Sequence, residues 1–298
     1  MFLYFALPCL LVLYSTAPTF AQADSEDLAP SVVARLQQQI VNGSLEEKRA
    51  ALFDIRNLRS ASASRIAVPA LRDKEPIVRA SAAASVVFLP KNESAMSLIP
   101  LLNDKMEFVR REAAYALGDV QDRAATVPLV RMMRSDKIQE VRTAAAVALG
   151  KIGDTSAING LLRILQTRPR EDDEFLRRSA ARSIGQIAQI TVTGNSDVLT
   201  PQNFLPEKFK DLGSSDVTGA IPQEFAKARE VLSDVLQSKR ESDDTRREAA
   251  FSLGAVGDKS SIPVLQTYVT AADPYLAEIC KEALLKIERR TKVAGLSD

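Results

Sequence analysis

The sequence has 298 residues, of which 46% are hydrophobic and 26% charged, proportions that are typical of a folded soluble chain. Its 39 basic and 38 acidic side chains leave a net charge of +1, which excludes a strong overall attraction to nucleic acid or anionic membranes. The absence of histidine excludes Ser-His-Asp and Cys-His catalytic sites and histidine-based metal centres, and two cysteines cannot form a disulfide framework.

The first 23 residues form an apolar segment without a charged side chain. Ala21 and Ala23 are small residues separated by one position, which fits a signal-peptidase site ahead of Asp24. The segment lacks the basic residues that usually begin a signal peptide, so a retained membrane anchor is the alternative. We predict cleavage and export of the mature chain to the periplasm or by secretion, with membrane contact only if the segment is retained.

One phrase then recurs along the chain, as "VRREAAYALGDVQD" at Val109, "VRTAAAVALGKIGD" at Val141 and "TRREAAFSLGAVGD" at Thr245. If the residue that opens the phrase is taken as a frame start, successive frames lie 31, 31, 32, 35, 69 and 31 residues apart. Periods in the low thirties are typical of stacked repeat proteins. The frames start at Glu47, Val78, Val109, Val141, Leu176, Thr245 and Leu276.

Each frame has the hydrophobic periodicity of a helix. In the frame at Val109, Ala113, Leu117 and Val120 follow at offsets of four, eight and eleven, which fall on one face of an α-helix. We call this the second helix of each repeat. A shorter apolar segment precedes most frames and is predicted to be a first helix, with a proline in its early part, where proline is tolerated. These prolines are Pro69, Pro100, Pro128 and Pro263.

Glycine recurs inside the second helices, where it costs about 1 kcal/mol relative to alanine. Each of these glycines stands one turn beyond an alanine, so together they form a face of small residues that lets a neighbouring helix approach. The glycines are Gly118, Gly150, Gly185 and Gly254. Gly153 and Gly257 lie just beyond the last apolar position, where we predict left-handed helix ends. A helix with one large apolar face and one small face packs on two neighbours, as in a solenoid.

The step of 69 residues between Leu176 and Thr245 is about one repeat too long. Residues 188–221 fill it, are rich in Thr, Gly, Asn, Ser and Pro, and lack the recurring phrase. We interpret them as a long insertion with at most one short helix around Pro206 to Leu212, with a degenerate repeat as the alternative. The predicted organisation is a signal peptide over 1–23 and a solenoid over 24–298.

The pattern "VPLVRMMRSDKIQEVRTAAAVALGKIGD" resembles a HEAT repeat, of the short subclass that is similar to the repeats of phycobilin lyase subunits. The resemblance runs from near Pro30 to Ile287 with one gap. It implies an all-α fold, a right-handed α-solenoid of about seven helix-turn-helix repeats. It is specific for the fold and weakly specific for function, because such solenoids serve unrelated systems.

The resemblance also implies a structural ladder, since an Asp of the inter-helix turn and the following Arg commonly pair along a HEAT stack. Three Asp–Arg pairs stand six residues apart here: Asp73 and Arg79, Asp104 and Arg110, and Asp136 and Arg142. Glu171 takes the acidic place before Arg177, whereas Arg240 replaces it before Arg246. The ladder is therefore expected to be strongest in the middle repeats.

No catalytic or metal-binding motif is present, so we predict no enzymatic activity, no metal and no cofactor. HEAT-like di-iron hydroxylases depend on His-Glu pairs, which this sequence cannot supply. DNA-binding HEAT-like glycosylases use aromatic contacts including Trp, which is absent, and export argues against a nucleic-acid partner. Cys280 occupies a place where other frames have Ala, so we expect it to be buried; a reactive or bilin-attaching thiol is the alternative.

A candidate binding stripe lies two and six places after the frame starts, away from both packing faces. In HEAT solenoids the second helices line the concave side, and Arg and aromatic residues are enriched at binding hot spots. The stripe residues are Arg49, Phe53, Arg111, Tyr115, Arg178, Arg182, Arg247 and Phe251. We therefore expect an exported, non-enzymatic scaffold that binds a partner protein on its concave face. A lyase-like or chaperone-like protein holding a small ligand such as a tetrapyrrole is one alternative, and a structural spacer is another.

Overall fold

The computed structural model describes residues 28–197, 200–206 and 221–294, and all regular structure in these ranges is helical. Within these described ranges seven helix pairs follow one another, which confirms the predicted all-α solenoid of about seven repeats. The first helices are α1 (Pro30–Asn42), α3 (Ala61–Ala67), α5 (Lys91–Leu98), α7 (Thr126–Ser135), α9 (Ile158–Gln166), α11 (Ala226–Gln237) and α13 (Ile262–Thr267). The second helices are α2 (Leu45–Leu58), α4 (Pro76–Ser85), α6 (Glu107–Val120), α8 (Gln139–Ile152), α10 (Glu174–Thr193), α12 (Asp243–Val256) and α14 (Pro274–Ala294).

The second helices form a continuous row in which each packs on the next, from α2 to α14. Each first helix packs on the second helix of its own pair, and one hydrophobic core runs through all seven repeats. The row is unbroken at the irregular step, because α12 packs directly on α10. Residues from every repeat therefore meet only their neighbours, which is the organisation of a solenoid.

The predicted apolar stripe forms the core. Val109, Ala113 and Leu117 are fully buried, and the equivalent residues of the other frames are buried with few exceptions. Glu47 is one exception, because it caps α2: its carboxylate accepts hydrogen bonds from the backbone N–H (2.7 Å) and hydroxyl (2.8 Å) of Ser44. This capping box stabilises the helix start, and it explains why an acidic residue stands where most other frames have an apolar one.

The small-residue face is where successive second helices approach most closely. A Cβ atom added to Gly150 would lie 2.6 Å from the hydroxyl oxygen of Ser183 in α10 and 3.0 Å from its Cα. The Ser183 hydroxyl in turn donates to the carbonyl oxygen of Ala146 at 2.8 Å, and Ser252 in α12 donates to Ala181 in α10 at the same distance. Glycine and serine thus pair across each of these junctions, as the predicted face requires.

The first helices differ from prediction in where proline lies. Pro69 and Pro100 stand not in the early part but at the start of 3-10 segments, Val68–Arg72 and Ile99–Asn103, which continue α3 and α5. Proline lacks a backbone N–H and clashes with the preceding turn of an α-helix, so each helix changes type there. Pro128 lies within the first turn of α7, as predicted.

The two predicted glycine helix ends also differ. Gly153 ends α8 in the left-handed conformation, with φ of 73°, as predicted. Gly257 ends α12 in an extended conformation instead, so that prediction was wrong. A Cβ on Gly257 would lie 2.4 Å from the backbone oxygen of Leu253 and 2.7 Å from the side chain of Ile287, so the lack of space at the helix end accounts for this glycine.

Within the predicted insertion, α10 continues to Thr193, and residues 200–206 contain one 3-10 helix, Gln202–Phe204. The predicted short helix around Pro206 to Leu212 lies outside the described residues apart from Pro206, as does the predicted signal peptide over 1–23. In the ranges that the structure describes, no helix is both long enough and apolar enough to cross a membrane.

Candidate functional site

A ladder of ion pairs joins successive repeats along one edge of the stack. Arg79 binds the Asp104 carboxylate of the next repeat through two hydrogen bonds of 2.7 and 2.8 Å. Its third nitrogen donates to the backbone oxygen of Asp73 at 2.9 Å. Arg110 repeats this arrangement with Asp136, at 2.7 and 2.9 Å, and with the backbone oxygen of Asp104. Each guanidinium therefore bridges its own inter-helix turn and the next one.

The ladder extends beyond the middle repeats. Lys48 binds Asp73 at 2.5 Å, while the contact from Arg142 to the next carboxylate, that of Asp173, is longer at 3.6 Å. Glu171 was therefore the wrong residue for the acidic place, which Asp173, three residues before the frame start at Leu176, takes instead. Arg142 instead donates to the backbone oxygen of Met133 at 2.9 Å. The middle repeats are consequently not uniformly the strongest part of the ladder.

The last two junctions also depart from the predicted spacing. Arg177 binds Glu241, across the irregular step, so the neighbouring Arg240 does not remove the acidic partner as predicted. Arg247 rather than Arg246 reaches the last repeat, with 2.8 Å between its Nε and the Asp273 carboxylate. Asp273 lies three residues before the frame start at Leu276, whereas Asp104 lies five residues before Val109, so the carboxylate stands at a different place in the repeat.

Four ladder carboxylates, those of Asp73, Asp104, Asp136 and Asp273, have pKa values below the ordinary one. Hydrogen bonds from Arg79 are the largest cause that holds the pKa of Asp104 below its ordinary value. Those from Arg247 do the same for Asp273. Such pairing favours the ionised acids in the folded state. These residues therefore act as structural connections between repeats.

The predicted stripe residues lie on the row of second helices, on a surface that we call the second-helix face. In its N-terminal half, Phe53 is 66% exposed and Tyr115 36% exposed. Arg49 pairs with Glu46 of its own helix at 3.1 Å, and Arg111 lies 3.9 Å from Glu112. This half therefore presents aromatic side chains beside arginines that have only exposed, weak ion pairs.

An open cleft of about 630 Å³ lies in the same half, between α2, α4 and α6. Tyr115 and Phe88 contribute aromatic rings to its wall, and the Arg59 guanidinium lies 5.5 Å from the centre of the Phe88 ring. Glu112 and Asp119 supply acidic groups. The cleft thus combines apolar surface with charges of both signs, which suits a polypeptide better than a purely apolar ligand.

The C-terminal half of the stripe is a paired network. Arg178 binds Asp244 at 3.0 Å, and Arg182 binds Glu248 at 2.8 Å, so each arginine of α10 pairs with an acid of α12. Phe251 is only 4% exposed, so its expected exposure was wrong. The Arg182 guanidinium and the Lys286 ammonium group cover its ring, at 5.0 and 5.1 Å from the ring centre.

Stacking on this face runs between repeats rather than along one helix. Arg247 does not stack on Phe251, four residues away, but lies 5.2 Å from the ring centre of Tyr275 in α14. The partners of these arginines, Asp244, Glu248 and Tyr275, were not identified from the sequence. Comparison of neighbouring frames side by side could have identified the acids, since Asp244 and Glu248 lie one place before and three places after the frame start at Thr245.

Residues 200–206 cross this half of the face. The backbone N–H groups of Gln202 and Asn203 donate to the Glu282 carboxylate of α14, at 2.8 and 3.1 Å. The Phe204 ring lies 5.5 Å from that of Tyr275. A cavity of about 300 Å³ remains between this segment and the helices, lined by Arg178, Arg182, Phe251 and Tyr275, among others. The sequence contained no signal for this contact, because the insertion has no period that relates it to α14.

The structure also describes the surroundings of Cys280 and of the side chains that could hold a metal ion. Cys280 is fully buried, and desolvation raises the pKa of its thiol to about 12, so it is a packing residue. Among the residues that the structure describes, no three side chains of the types that hold metal ions come together.

Sequence and structure comparisons match the repeat architecture. A family model described as HEAT repeats matches residues 95–185, and one described as PBS lyase HEAT-like repeat matches residues 245–269. No curated protein matches this chain. Among solved structures, an engineered protein is 20% identical with a TM-score of 0.53, over 87% of this chain and 68% of that one.

A second similar structure is the complex of CpcE and CpcF of phycocyanin lyase from Nostoc sp. PCC7120. It is 19% identical with a TM-score of 0.46, over 95% of this chain and 98% of that one. The similarity to the engineered protein concerns the fold alone. Residues 95–185 and 245–269 therefore match HEAT-repeat models, within an α-solenoid.

Proposed function

We propose that this protein is a non-enzymatic scaffold that acts outside the cytoplasm and binds a partner protein on its second-helix face. The observation that carries the proposal is the exposure of Phe53 and Tyr115 on that face, beside the cleft that Tyr115 and Phe88 line. Large aromatic side chains are costly to leave exposed and are enriched where proteins bind one another. A solenoid presents such residues along one continuous surface.

The charges of the face suggest what kind of partner it binds. Every arginine of the stripe lies within 4.0 Å of an acidic side chain, including Arg111 beside Glu112. The face is therefore nearly balanced in charge, and its affinity should come from aromatic and apolar contact rather than from a strongly acidic partner. Binding of this kind depends weakly on salt concentration.

The test is capture of a partner by tagged mature protein from the exporting host, with quantitative comparison of variants. Arg111→Glu combined with Tyr115→Ala should abolish capture, because it removes an aromatic anchor and reverses a charge at the cleft. A matched control is Met96→Ser with Val127→Ser, which alters two apolar side chains, each 67% exposed, on first helices. Helix content and melting temperature should stay nearly unchanged in both.

Two outcomes would contradict the proposal. Capture that survives the double change at Arg111 and Tyr115 would exclude this part of the face, and equal loss in the Met96 and Val127 control would show that the capture was non-specific. The ligand-holding alternative has no comparable support. Its most direct attachment point, the Cys280 thiol, is fully buried.

A further inference from the structure

We propose that the surface formed by α10, α12 and α14 is a binding site for a short, uncharged peptide segment of a partner protein, occupied here by residues 200–206 of the same chain. The segment that it takes has a proline, two consecutive residues that offer backbone N–H groups, and then an aromatic residue, as in Pro201 to Phe204. This inference rests on the proposed scaffold function and specifies the chemistry of the partner.

Glu282 is the anchor of the site. It lies six places after its frame start, the same position as Tyr115 and Arg182 in their repeats, so it belongs to the second-helix face. It is 5% exposed, and one carboxylate oxygen accepts the N–H groups of Gln202 and Asn203 while the other pairs with Lys286 at 2.8 Å. A buried carboxylate needs such donors. Because they are backbone groups, another polypeptide could supply them equally well.

The aromatic residue of the segment has its own contact surface. Phe204 packs against Tyr275, and the side-chain amide of Asn203 donates to the backbone oxygen of Glu278 at 3.2 Å. Arg247 covers the Tyr275 ring from α12. Tyr275 nevertheless remains 56% exposed, so Phe204 covers this surface only partly.

The seven repeats are joined without this segment. The helix α12 packs directly on α10 and on α14, and the Ser252 hydroxyl bonds the carbonyl oxygen of Ala181 at 2.8 Å. Arg177 and Glu241 connect the same two repeats on the ladder edge. Release of residues 200–206 would therefore uncover the site and leave the contacts between α10, α12 and α14 intact.

The adjoining cavity of about 300 Å³ indicates that the present occupant fills the site incompletely. Pro201 and Phe204 form one wall, and the opposite wall includes Arg178, Arg182 and Phe251. Those arginines are paired with Asp244 and Glu248, and Arg247, which also lines the cavity, is paired with Asp273, so each cation of the cavity already has an acidic partner. A partner segment with a further apolar side chain would contact the Phe251 wall better than residues 200–206 do.

The covalent connection gives the present occupant an advantage in concentration. Only the residues after Thr193 separate it from α10, and Gln186 and Gln189 hold that connection through hydrogen bonds to the backbone oxygen of Asp197, at 2.9 and 3.3 Å. A short connection gives an effective concentration on the order of millimolar. A partner segment must displace the internal one, so weakening the internal contact should raise the apparent affinity for an external peptide.

The experiment uses the full chain and a fluorescent peptide with the sequence of residues 200–206, TPQNFLP, followed by fluorescence anisotropy. The internal segment is weakened by Gln202→Pro with Phe204→Ala. Proline removes one of the two N–H groups that Glu282 accepts, and it is compatible with the extended conformation of Pro201 (ψ of 119°). Ser196→Ala, at an exposed position of the same connection, is the matched control.

The Gln202 and Phe204 variant should bind the peptide at least about tenfold more tightly than the wild type and the Ser196 variant. Adding Glu282→Ala should abolish this binding. If that variant fails to fold, the same contacts can be tested by changing the peptide instead of the protein. TPPNFLP lacks the N–H of residue 202 and TPQNALP lacks the aromatic ring of residue 204. Both should bind the Gln202 and Phe204 variant at least about tenfold more weakly than TPQNFLP does. The absence of saturable binding, or equal binding of all three peptides, would overturn the proposal.

A second copy of the chain is the competing occupant. A dimer in sedimentation experiments that disappears in the Gln202 and Phe204 variant would overturn the assignment to a partner protein.

Failure of this proposal is distinguishable from failure of the scaffold function. If no peptide binds but capture still depends on Arg111 and Tyr115, the site proposal alone is wrong. If the peptide binds as expected but capture is independent of Arg111 and Tyr115, the site stands and the role of the N-terminal half is wrong.

Discussion

Arg177 and Glu241 are 64 residues apart in the sequence, yet Nε of Arg177 donates to the Glu241 carboxylate at 2.9 Å and Nη2 donates to its other oxygen. The two side chains are only 2% and 4% exposed. Arg177 also donates to the backbone oxygens of Ile164 and Leu165, at 2.6 and 2.8 Å. This buried pair connects the two repeats that the irregular step separates in sequence, and it completes the ladder across them.

Loss of Glu241 should therefore be among the most damaging changes on the ladder. Glu241→Ala leaves the Arg177 guanidinium buried without its counter-ion, which we expect to lower the free energy of unfolding by about 3–5 kcal/mol. Asp119→Ala is the control, because Asp119 pairs with Lys151 on the surface, and its loss should cost less than about 1 kcal/mol. Urea unfolding of both variants measures the difference, and equal small effects would show that the buried pair contributes little.

The ladder also predicts a dependence of stability on acidity. Pairing with Arg79 lowers the pKa of Asp104, and pairing with Arg247 lowers that of Asp273, relative to the ordinary value of 3.8. The unfolded chain therefore binds protons first as the pH falls. The stabilisation is fully present well above 3.8 and is lost as the pH drops through that value toward the lower pKa of the folded state.

The urea concentration at the midpoint of unfolding should accordingly decrease as the pH is lowered from about 6 to about 2. Asp104→Asn should have a shallower decrease, because one of the titrating groups is gone. A variant profile parallel to that of the wild type would show that Asp104 does not contribute to the acid sensitivity.

Cys280 should be unreactive in the native protein. Desolvation raises the pKa of its thiol to about 12, so the nucleophilic thiolate is scarce at neutral pH, and the side chain is fully buried. A thiol reagent at about pH 8 should label Cys280 only after denaturation. Rapid labelling of the folded protein at this position would instead support the alternative of a reactive or ligand-attaching thiol.

The parts of the fold that the sequence predicts are those repeated by translation along the stack. The face that contains Val109, Ala113 and Leu117 recurs because each second helix meets the same two neighbours, so periodicity suffices to predict it. The place of the acid within the inter-helix turn does not follow from the period. Asp273 lies three residues before its frame start, whereas Asp104 lies five before its own, and Asp273 meets Arg247 instead of Arg246.

The candidate site shows the same limit. Its arginines were predictable from their offsets. Their pairing with Asp244 and Glu248 is a contact between adjacent repeats, so its prediction would need the relative position of α10 and α12, which the sequence does not give. Phe251 was expected to be exposed because its offset lies away from the packing faces, and it is covered by long side chains that reach over from α10 and α14. The position of residues 200–206 depends on tertiary contact alone.

Processing of the N-terminus is a separate prediction from the sequence. The mature chain should begin at Asp24, because Ala21 and Ala23 form the small-residue pattern that signal peptidase recognises. The intact mass of protein recovered from the exporting host measures this directly. A mass that includes Met1 would favour the retained anchor.

The close approach of the second helices gives a last prediction. Gly150 of α8 faces Ser183 of α10, and an added Cβ would lie 2.6 Å from the serine hydroxyl oxygen and 3.0 Å from its backbone Cα. The hydroxyl could rotate away only by giving up its hydrogen bond to Ala146, and the backbone could move only by separating the two helices. Gly150→Leu should therefore lower the free energy of unfolding by about 1–3 kcal/mol through overpacking, and Gly150→Ala should have a smaller effect. Val147→Leu, at a half-buried position one turn earlier in the same helix, is the control and should change stability little. Urea unfolding orders the three variants, and a Gly150→Leu midpoint equal to that of the wild type would contradict the tight junction between α8 and α10.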